Sequence, residues 1–332
     1  MHAAAFSPRE GVSPRSARLR GQSIIEYVLI IAVIGLVIVF AGPCVAGAIR
    51  NQFSQVTNTV DSGTDGDSFM SAEEKAYREA MKIVVQKDAK DWTLDEQKAA
   101  ATDIAKNGTS SVVYAKAMAA MEAGTKFSAK LTNGKTLEYC IIGINHDDLA
   151  EGSGKAGLTF LATNTAVGTS RMNPTSTTVG AWEKSALRQK MNSGEIWNLM
   201  PSDFQSKVKA VRKLTNNAGG GDENKNAPVT ATSDKLFLLS YSEIVPTSYW
   251  ASSCPWTSSE GTQYEAFKGK VTQNKGNNDY LKTGNHWWER SADPRTSKTF
   301  LIVDSNGNPV GWDKSGWVYA SDTSYVCPAW CF

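Results

Sequence analysis

An uninterrupted apolar run near the start of the chain constrains this sequence most. Val28–Ile49 contains no charged side chain, and Arg50 ends the run. A helix of about 20 apolar residues is long enough to cross the hydrocarbon core of a bilayer. A secretory signal has a shorter apolar region, of ~7–15 residues, followed by a small-residue cleavage site. The run therefore predicts a membrane-spanning anchor helix.

The charges before this run predict its orientation. The first 20 residues contain four arginines and one glutamate: Arg9, Arg15, Arg18, Arg20 and Glu10. Basic flanks stay in the cytoplasm, so residues 51–332 are expected outside the cell. A mean hydropathy of -0.32 argues against further spans. We expect a precursor in the cell membrane and a mature protein exposed at the cell surface.

An acidic residue at the edge of the apolar run needs a reason, because a carboxylate inside a membrane is costly. The segment Arg20–Tyr27 (RGQSIIEY) resembles the processing site of Flp/Tad-type pilins, a branch of the type IV pilin superfamily. The resemblance implies cleavage by a prepilin peptidase after Gly21, which makes Gln22 the new N-terminus. It also implies that Glu26, followed by Tyr27, is the carboxylate used in assembly with other pilin subunits. The alternative is an ordinary signal anchor in which Glu26 marks the membrane boundary.

The length of the chain departs from that family, whose major pilins are very short. Here residues 61–332 follow the apolar helix, which favours a minor pilin, located at a fibre tip. We expect a cytoplasmic leader at residues 1–21 and a pilin-type helix at 22–60. A linker with a short helical stalk is expected at 61–125, followed by a surface domain at 126–332. Capping boxes at Ser71/Glu74 and Thr93/Glu96 predict the first two stalk helices.

A change of period at residue 126 predicts a mixed domain. Lys126–Leu131 and Thr136–Ile144 are strand-like and flank Asn133-Gly134, a strong hairpin signal. A strand is also expected at Leu236–Ser240, and helices are expected to begin near residues 185 and 202. Glycines 152, 154 and 157 match G-x-G-x-x-G, but a strand-like stretch follows where a dinucleotide site needs a helix. That motif predicts no cofactor site.

A second resemblance covers residues 127–332. Ser185–Asn192, Asp234–Ser240, Trp287–Ser291 and Tyr325–Ala329 resemble the motifs of an uncharacterised bacterial surface domain. Its order of elements is similar to C-type-lectin-like folds and to the formylglycine-generating enzyme. The predicted fold class is therefore α+β: a long N-terminal pilin-type transmembrane helix, a short helical stalk and a C-terminal lectin-like domain.

Aromatic residues around a long irregular stretch suggest a ligand surface, because exposed rings stack on sugars or on a partner's aromatic groups. The candidates are Trp250, Trp256, Trp287, Trp288 and Arg290. The alternative is that at least one tryptophan of the Trp287-Trp288 pair lies in the core and that Arg290 pairs with a buried carboxylate.

Four cysteines follow the apolar run, and two bridges among them allow three connectivities: Cys140, Cys254, Cys327 and Cys331. Unpaired buried thiols are the alternative. In lectin-like domains the first and last strands pair, and this resemblance implies bridges Cys140–Cys331 and Cys254–Cys327. Three histidines, none at a ligand-like spacing to another, predict no zinc site.

The leading functional hypothesis is a minor pilin that displays an adhesin-like domain for a glycan or a host surface protein. A net charge of +2 suggests no nucleic-acid partner. We expect no cofactor and no catalytic residue. Two alternatives stay open: a structural pseudopilin without an external ligand, and a thiol-dependent enzyme similar to the formylglycine-generating enzyme, which would use Cys327 and Cys331.

Overall fold

Three helices open the part of the chain that the computed structural model describes, namely residues 70–217, 227–246, 259–271, 279–293, 296–310 and 318–332. They are α1 (Ala72–Val84), α2 (Leu94–Asn107) and α3 (Tyr114–Glu122). The predicted capping box starts α2: the Glu96 backbone N–H donates to Thr93 Oγ1 at 3.3 Å, and the Thr93 N–H donates to the Glu96 carboxylate at 2.8 Å.

A five-stranded antiparallel sheet packs against these helices. Its spatial order is β1-β2-β3-β13-β7, and its strands are β1 (Phe127–Lys130), β2 (Thr136–Ile144), β3 (Leu158–Ala162), β13 (Ala329–Cys331) and β7 (Leu236–Phe237). The predicted hairpin is confirmed, since Phe127 pairs with Tyr139 and Lys130 with Thr136. A buried aromatic cluster lies against this sheet, where the Phe160 and Trp330 rings stack with centroids 5.8 Å apart.

A second sheet has the order β10-β9-β8-β12-β4, with β11 also pairing with β9. Its strands are β4 (Thr169–Arg171), β8 (Trp287–Ala292), β9 (Thr299–Val303), β10 (Pro309–Val310), β11 (Val318–Tyr319) and β12 (Thr323–Tyr325). A separate two-stranded hairpin joins β5 (Val211–Asn216) to β6 (Val229–Asp234). Three short helices connect these parts: α4 (Ala186–Asn192), α5 (Ser202–Gln205) and α6 (Tyr241–Ile244).

The three N-terminal helices belong to the same compact unit as the sheets, which covers residues 72–332. The Tyr139 hydroxyl on β2 donates to the Gln97 side chain on α2 at 3.1 Å. The Asn145 side chain donates to the Ile104 backbone carbonyl at 3.1 Å. These buried contacts tie α2 to the sheet, so the helices form part of the domain wall.

The predicted fold class is wrong as a whole and is corrected here to an α+β domain with sheets. Among the residues that the structure describes, no helix is long and apolar enough to cross a membrane. Of the helices expected as a stalk, α2 and α3 pack on the sheet and α1 packs on α2, because their buried faces need those surfaces. The predicted helix at residues 22–60 and the motif residues Gly21, Gln22, Glu26 and Tyr27 lie outside the described residues.

Candidate functional site

Three of the five residues expected to form a ligand surface lie in the protein interior. Trp287, Trp288 and Arg290 are each 0% exposed, because β8 is flanked by β9 on one side and by β12 on the other. The Trp287 indole donates to the Leu281 carbonyl at 3.1 Å, and the Trp288 indole donates to the Ser170 carbonyl at 2.8 Å. For these three residues, the prediction of an exposed ligand surface is wrong. Trp250 and Trp256 lie outside the described residues.

Arg290 instead forms a buried ion pair, as the alternative interpretation stated. Its guanidinium donates to the Glu243 carboxylate with one contact of 2.9 Å, and to the backbone carbonyls of Leu238 at 2.8 Å and Glu260 at 2.6 Å. Burial disfavours the charged carboxylate, but Arg290 and Lys213 outweigh it and lower the pKa of Glu243. Arg290 therefore anchors α6 and the segment around residue 260 to β8.

Lys213 extends this ion pair into a larger group that we call the buried charge cluster: Asp147, Lys213, Glu243, Glu260, Glu289 and Arg290. The Lys213 ammonium lies 2.6 Å from Asp147 Oδ1 and 2.5 Å from Glu243 Oε1. The Tyr264 hydroxyl donates to Asp147 at 2.9 Å. Burial opposes both charges, but their attraction raises the pKa of Lys213 and lowers that of Asp147.

Two further carboxyls of the cluster have raised pKa values, mainly because burial disfavours their charged forms. The pKa of Glu260 rises to about 7, although its carboxylate accepts hydrogen bonds from Ser291 and from the Asn216 backbone. The pKa of Glu289 rises well above 4.5, helped by repulsion from Glu260. Neither carboxyl oxygen of Glu289 has a hydrogen-bond partner in the described structure. Burial and the missing hydrogen bonds therefore both favour the uncharged form of the Glu289 carboxyl.

The cysteines do not form the expected bridges. Cys140, Cys327 and Cys331 are free and buried. Cys140 on β2 faces β3, and Cys331 on β13 pairs with the opposite edge of β3. Two strand spacings, together about 10 Å, exceed the ~7 Å that a disulfide spans between Cα atoms. The Cys140–Cys331 bridge is therefore excluded. Cys254 lies outside the described residues, and burial raises the pKa of Cys327.

The best surface candidate is a cavity of about 330 Å³ between α2 and the loop that follows β2. We call it the lysine groove, after the four lysines that line it: Lys98, Lys106, Lys155 and Lys209. One acidic residue, Glu73, also lines it, so four positive charges against one negative give a formal charge of +3. Its size lies at the lower end of the range typical of ligand pockets, roughly 300–1,000 Å³.

Two lysines of the groove, Lys98 and Lys209, lie next to each other and repel. Lys98 is half-buried, and burial together with the neighbouring Lys209 lowers its pKa to about 8. Nearby Lys155 and Lys207 have acidic partners, Asp148 at 2.8 Å and Asp95 at 2.9 Å. Within the described part of the chain, no ion pair forms at Lys98 or Lys209. The attraction of Glu73 for Lys98 offsets the effects of burial and of Lys209 only in part, so an anion beside the two ammonium groups would stabilise their charges.

The glycine motif forms one wall of the groove, through Gly154 and Gly157. A Cβ atom at Gly157 would lie 1.9 Å from the Ala101 carbonyl oxygen of α2, so only glycine permits this close approach. The loop therefore brings Lys155 and α2 together. The groove could not be predicted from the sequence, because its four lysines are spread over residues 98–209, although the glycine motif marks one of its walls.

The described residues contain no group of three or more His, Cys, Asp or Glu side chains that could hold a metal ion. No curated protein and no solved structure matches this chain. Residues 156–330, more than half of the 332, match a family model described as a domain of unknown function, DUF6273. The matched region holds strands β3 to β12, most of β13 and most of the buried charge cluster. By this match, the chain belongs to the DUF6273 family.

Proposed function

We propose that this chain is a minor pilin whose folded domain is an adhesin-like binding module, and that the lysine groove binds the acidic group of a glycan. The observation that carries the binding proposal is the adjacent pair Lys98 and Lys209, because the repulsion between them outweighs the attraction of Glu73 for Lys98. A carboxylate or sulfate between the two ammonium groups would relieve their repulsion and form charge-assisted hydrogen bonds.

The groove also has the composition of a sugar-acid site. Apolar surface from Leu149, Ala101 and Phe332 accompanies the lysines in its lining. Thr102 and Ser153 add hydroxyl groups that can bond to sugar hydroxyls. A mixed wall of this kind suits a ring that carries one acidic group better than it suits a bare ion.

The pilin part of the proposal rests on the Arg20–Tyr27 motif. It gives the domain a place at the cell surface, with other pilin subunits and a prepilin peptidase as partners. A thiol-dependent enzyme gains no support, because its candidates Cys327 and Cys331 are fully buried. Burial raises the pKa of both thiols, and a buried thiol is a poor nucleophile.

The binding proposal is tested with the purified full-length chain and a fluorescent sulfated oligosaccharide, by fluorescence anisotropy. The double substitution Lys98→Ala/Lys209→Ala removes the unbalanced pair and should weaken binding by about 10- to 100-fold, since hydrogen bonds to charged groups contribute ~1.5–3 kcal/mol. Lys135→Ala is the matched control, because this exposed lysine lies in the turn at the other end of β2. Its affinity should stay at the wild-type value.

Two outcomes would contradict the proposal. One is equal affinity of the double variant and the wild type for the sulfated sugar. The other is equal affinity of the wild type for the sulfated sugar and for its neutral counterpart, which would mean that the lysines do not select the ligand. Circular dichroism of each variant checks that the fold is kept.

A further inference from the structure

The Lys213 amine is held between two buried carboxylates. It lies 2.6 Å from Asp147 and 2.5 Å from Glu243, and the three side chains are only 2–3% exposed. We propose that Lys213 and Asp147 condense to a side-chain amide cross-link inside the folded domain, with Glu243 moving the protons. Independently of the lysine groove, this assigns a covalent modification to the buried charge cluster.

The backbone fixes the two reacting groups in register. The Arg212 N–H donates to the Asp148 carbonyl at 2.8 Å, and Leu149 forms an isolated bridge with Val211. Lys213 directly follows Arg212, and Asp147 directly precedes Asp148, so this backbone contact holds the two reacting residues near each other. The Lys213 nitrogen lies 2.6 Å from Asp147 Oδ1. Its distance to the carboxyl carbon that carries this oxygen is therefore close to the near-attack range of roughly 3–3.5 Å.

Hydroxyl groups surround the carboxyl that would be attacked. Thr159 donates to Asp147 Oδ2 at 2.7 Å, and Tyr264 donates to the same oxygen at 2.9 Å. When the amine adds to the carbon, negative charge develops on that oxygen. Two fixed donors at this position would stabilise it, as donors in an oxyanion hole do.

The reaction balances without an oxidant or a cofactor. Lys213 first gives one proton to Asp147, which yields a neutral amine and a carboxylic acid. The amine nitrogen forms a bond to the carboxyl carbon, and Glu243 accepts the second proton from that nitrogen. Glu243 returns this proton to the departing hydroxyl, the C–O bond breaks, and one water molecule leaves. Glu243 ends in its starting state.

The surroundings favour the uncharged product. Before the reaction, Asp147 and Glu243 are balanced by Lys213 and Arg290. Afterwards the Glu243–Arg290 pair remains, with its contacts intact. Condensation thus removes one positive and one negative charge from a fully buried site, where charges are costly to hold. The walls are aromatic, with the amine 4.2 Å from the centre of the Phe237 ring.

The test is mass spectrometry of tryptic peptides from the folded full-length wild type. The expected product is one branched peptide that joins the segment containing Asp147 to that containing Lys213, lighter than the sum of the two by one water. Lys213→Met should abolish it. Lys235→Met is the matched control, because this exposed lysine follows β6, and it should keep the branched peptide.

Glu243→Gln separates catalysis from mere proximity. It keeps both reacting groups and removes the proton carrier, so the branched peptide should fall at least tenfold while the two linear peptides appear. A folded wild type that yields only the two linear peptides overturns the proposal, whatever the variants do. A loss of water at any other pair of residues overturns it equally.

Discussion

Replacing Glu289 with Met should stabilise the protein, although it removes a charged residue type from the centre of a sheet. The Glu289 carboxyl is fully buried and has no hydrogen-bond partner in the described structure. An unsatisfied buried polar group costs ~1–3 kcal/mol. Met has a similar length and no polar atom, so we expect the free energy of unfolding to rise by that amount at pH 4.5.

The pH dependence gives the sharper measurement. The folded-state pKa values of Glu289 and Glu260 both lie above 4.5, the second at about 7. Between pH 4.5 and about 7, these carboxyls lose their protons in the unfolded chain but keep them in the folded chain, so the free energy of unfolding falls as the pH rises. Each such group contributes a slope of ~1.4 kcal/mol per pH unit. In Glu289→Met, stability should therefore fall less steeply as the pH rises, by up to ~1.4 kcal/mol per pH unit.

Urea unfolding followed by tryptophan fluorescence, at half-unit steps from pH 4.5 to 7, measures this slope. The control is Glu195→Met, at an exposed carboxylate paired with Lys190 on the surface, which should leave the slope unchanged. A Glu289→Met variant that is less stable than the wild type and keeps the wild-type slope would refute the reasoning. It would mean that Glu289 is ionised and paired in the folded state.

Three more predictions follow from the geometry and the motif. Gly157→Ala should destabilise the domain by on the order of 3 kcal/mol or more, measured by urea unfolding, because its Cβ would collide with the Ala101 carbonyl; wild-type stability would contradict the close approach. The three described cysteines should resist alkylation in the native state and react only in urea, since all are buried; rapid native labelling of Cys327 would revive a reactive role. N-terminal sequencing of assembled material should begin at Gln22, and Glu26→Leu should reduce incorporation into fibres; a start at Met1 with normal assembly would remove the pilin proposal.

The elements that could be predicted from the sequence are those fixed by neighbouring residues. The Thr93/Glu96 capping box and the Asn133-Gly134 turn each act over a few residues, and both occur as expected. Prediction failed where distant segments decide the structure. The helix expected to begin near residue 202 ends already at Gln205, and strand β5 begins at Val211.

Strand β8 shows why the site could not be predicted. Its sequence WWERSA carries two charged residues, so it resembles an exposed segment with an aromatic platform. Its burial depends on β9, on β12 and on Glu243, all distant in the sequence. The buried charge cluster and the lysine groove both combine segments that are distant in the sequence. The partners of Lys213 lie 66 and 30 positions away, and the lysine groove combines α2 with two later loops.

The position of β13 has a consequence for synthesis. Residues 329–331 lie between β3 and β7, and Trp330 fills the centre of the aromatic cluster. A ribosome delivers β3 and β7 long before the strand that joins them, so both edges stay open and the core stays incomplete during translation. Non-local pairing of this kind folds slowly. A nascent chain therefore cannot complete the five-stranded sheet until residues 329–331 have been synthesised.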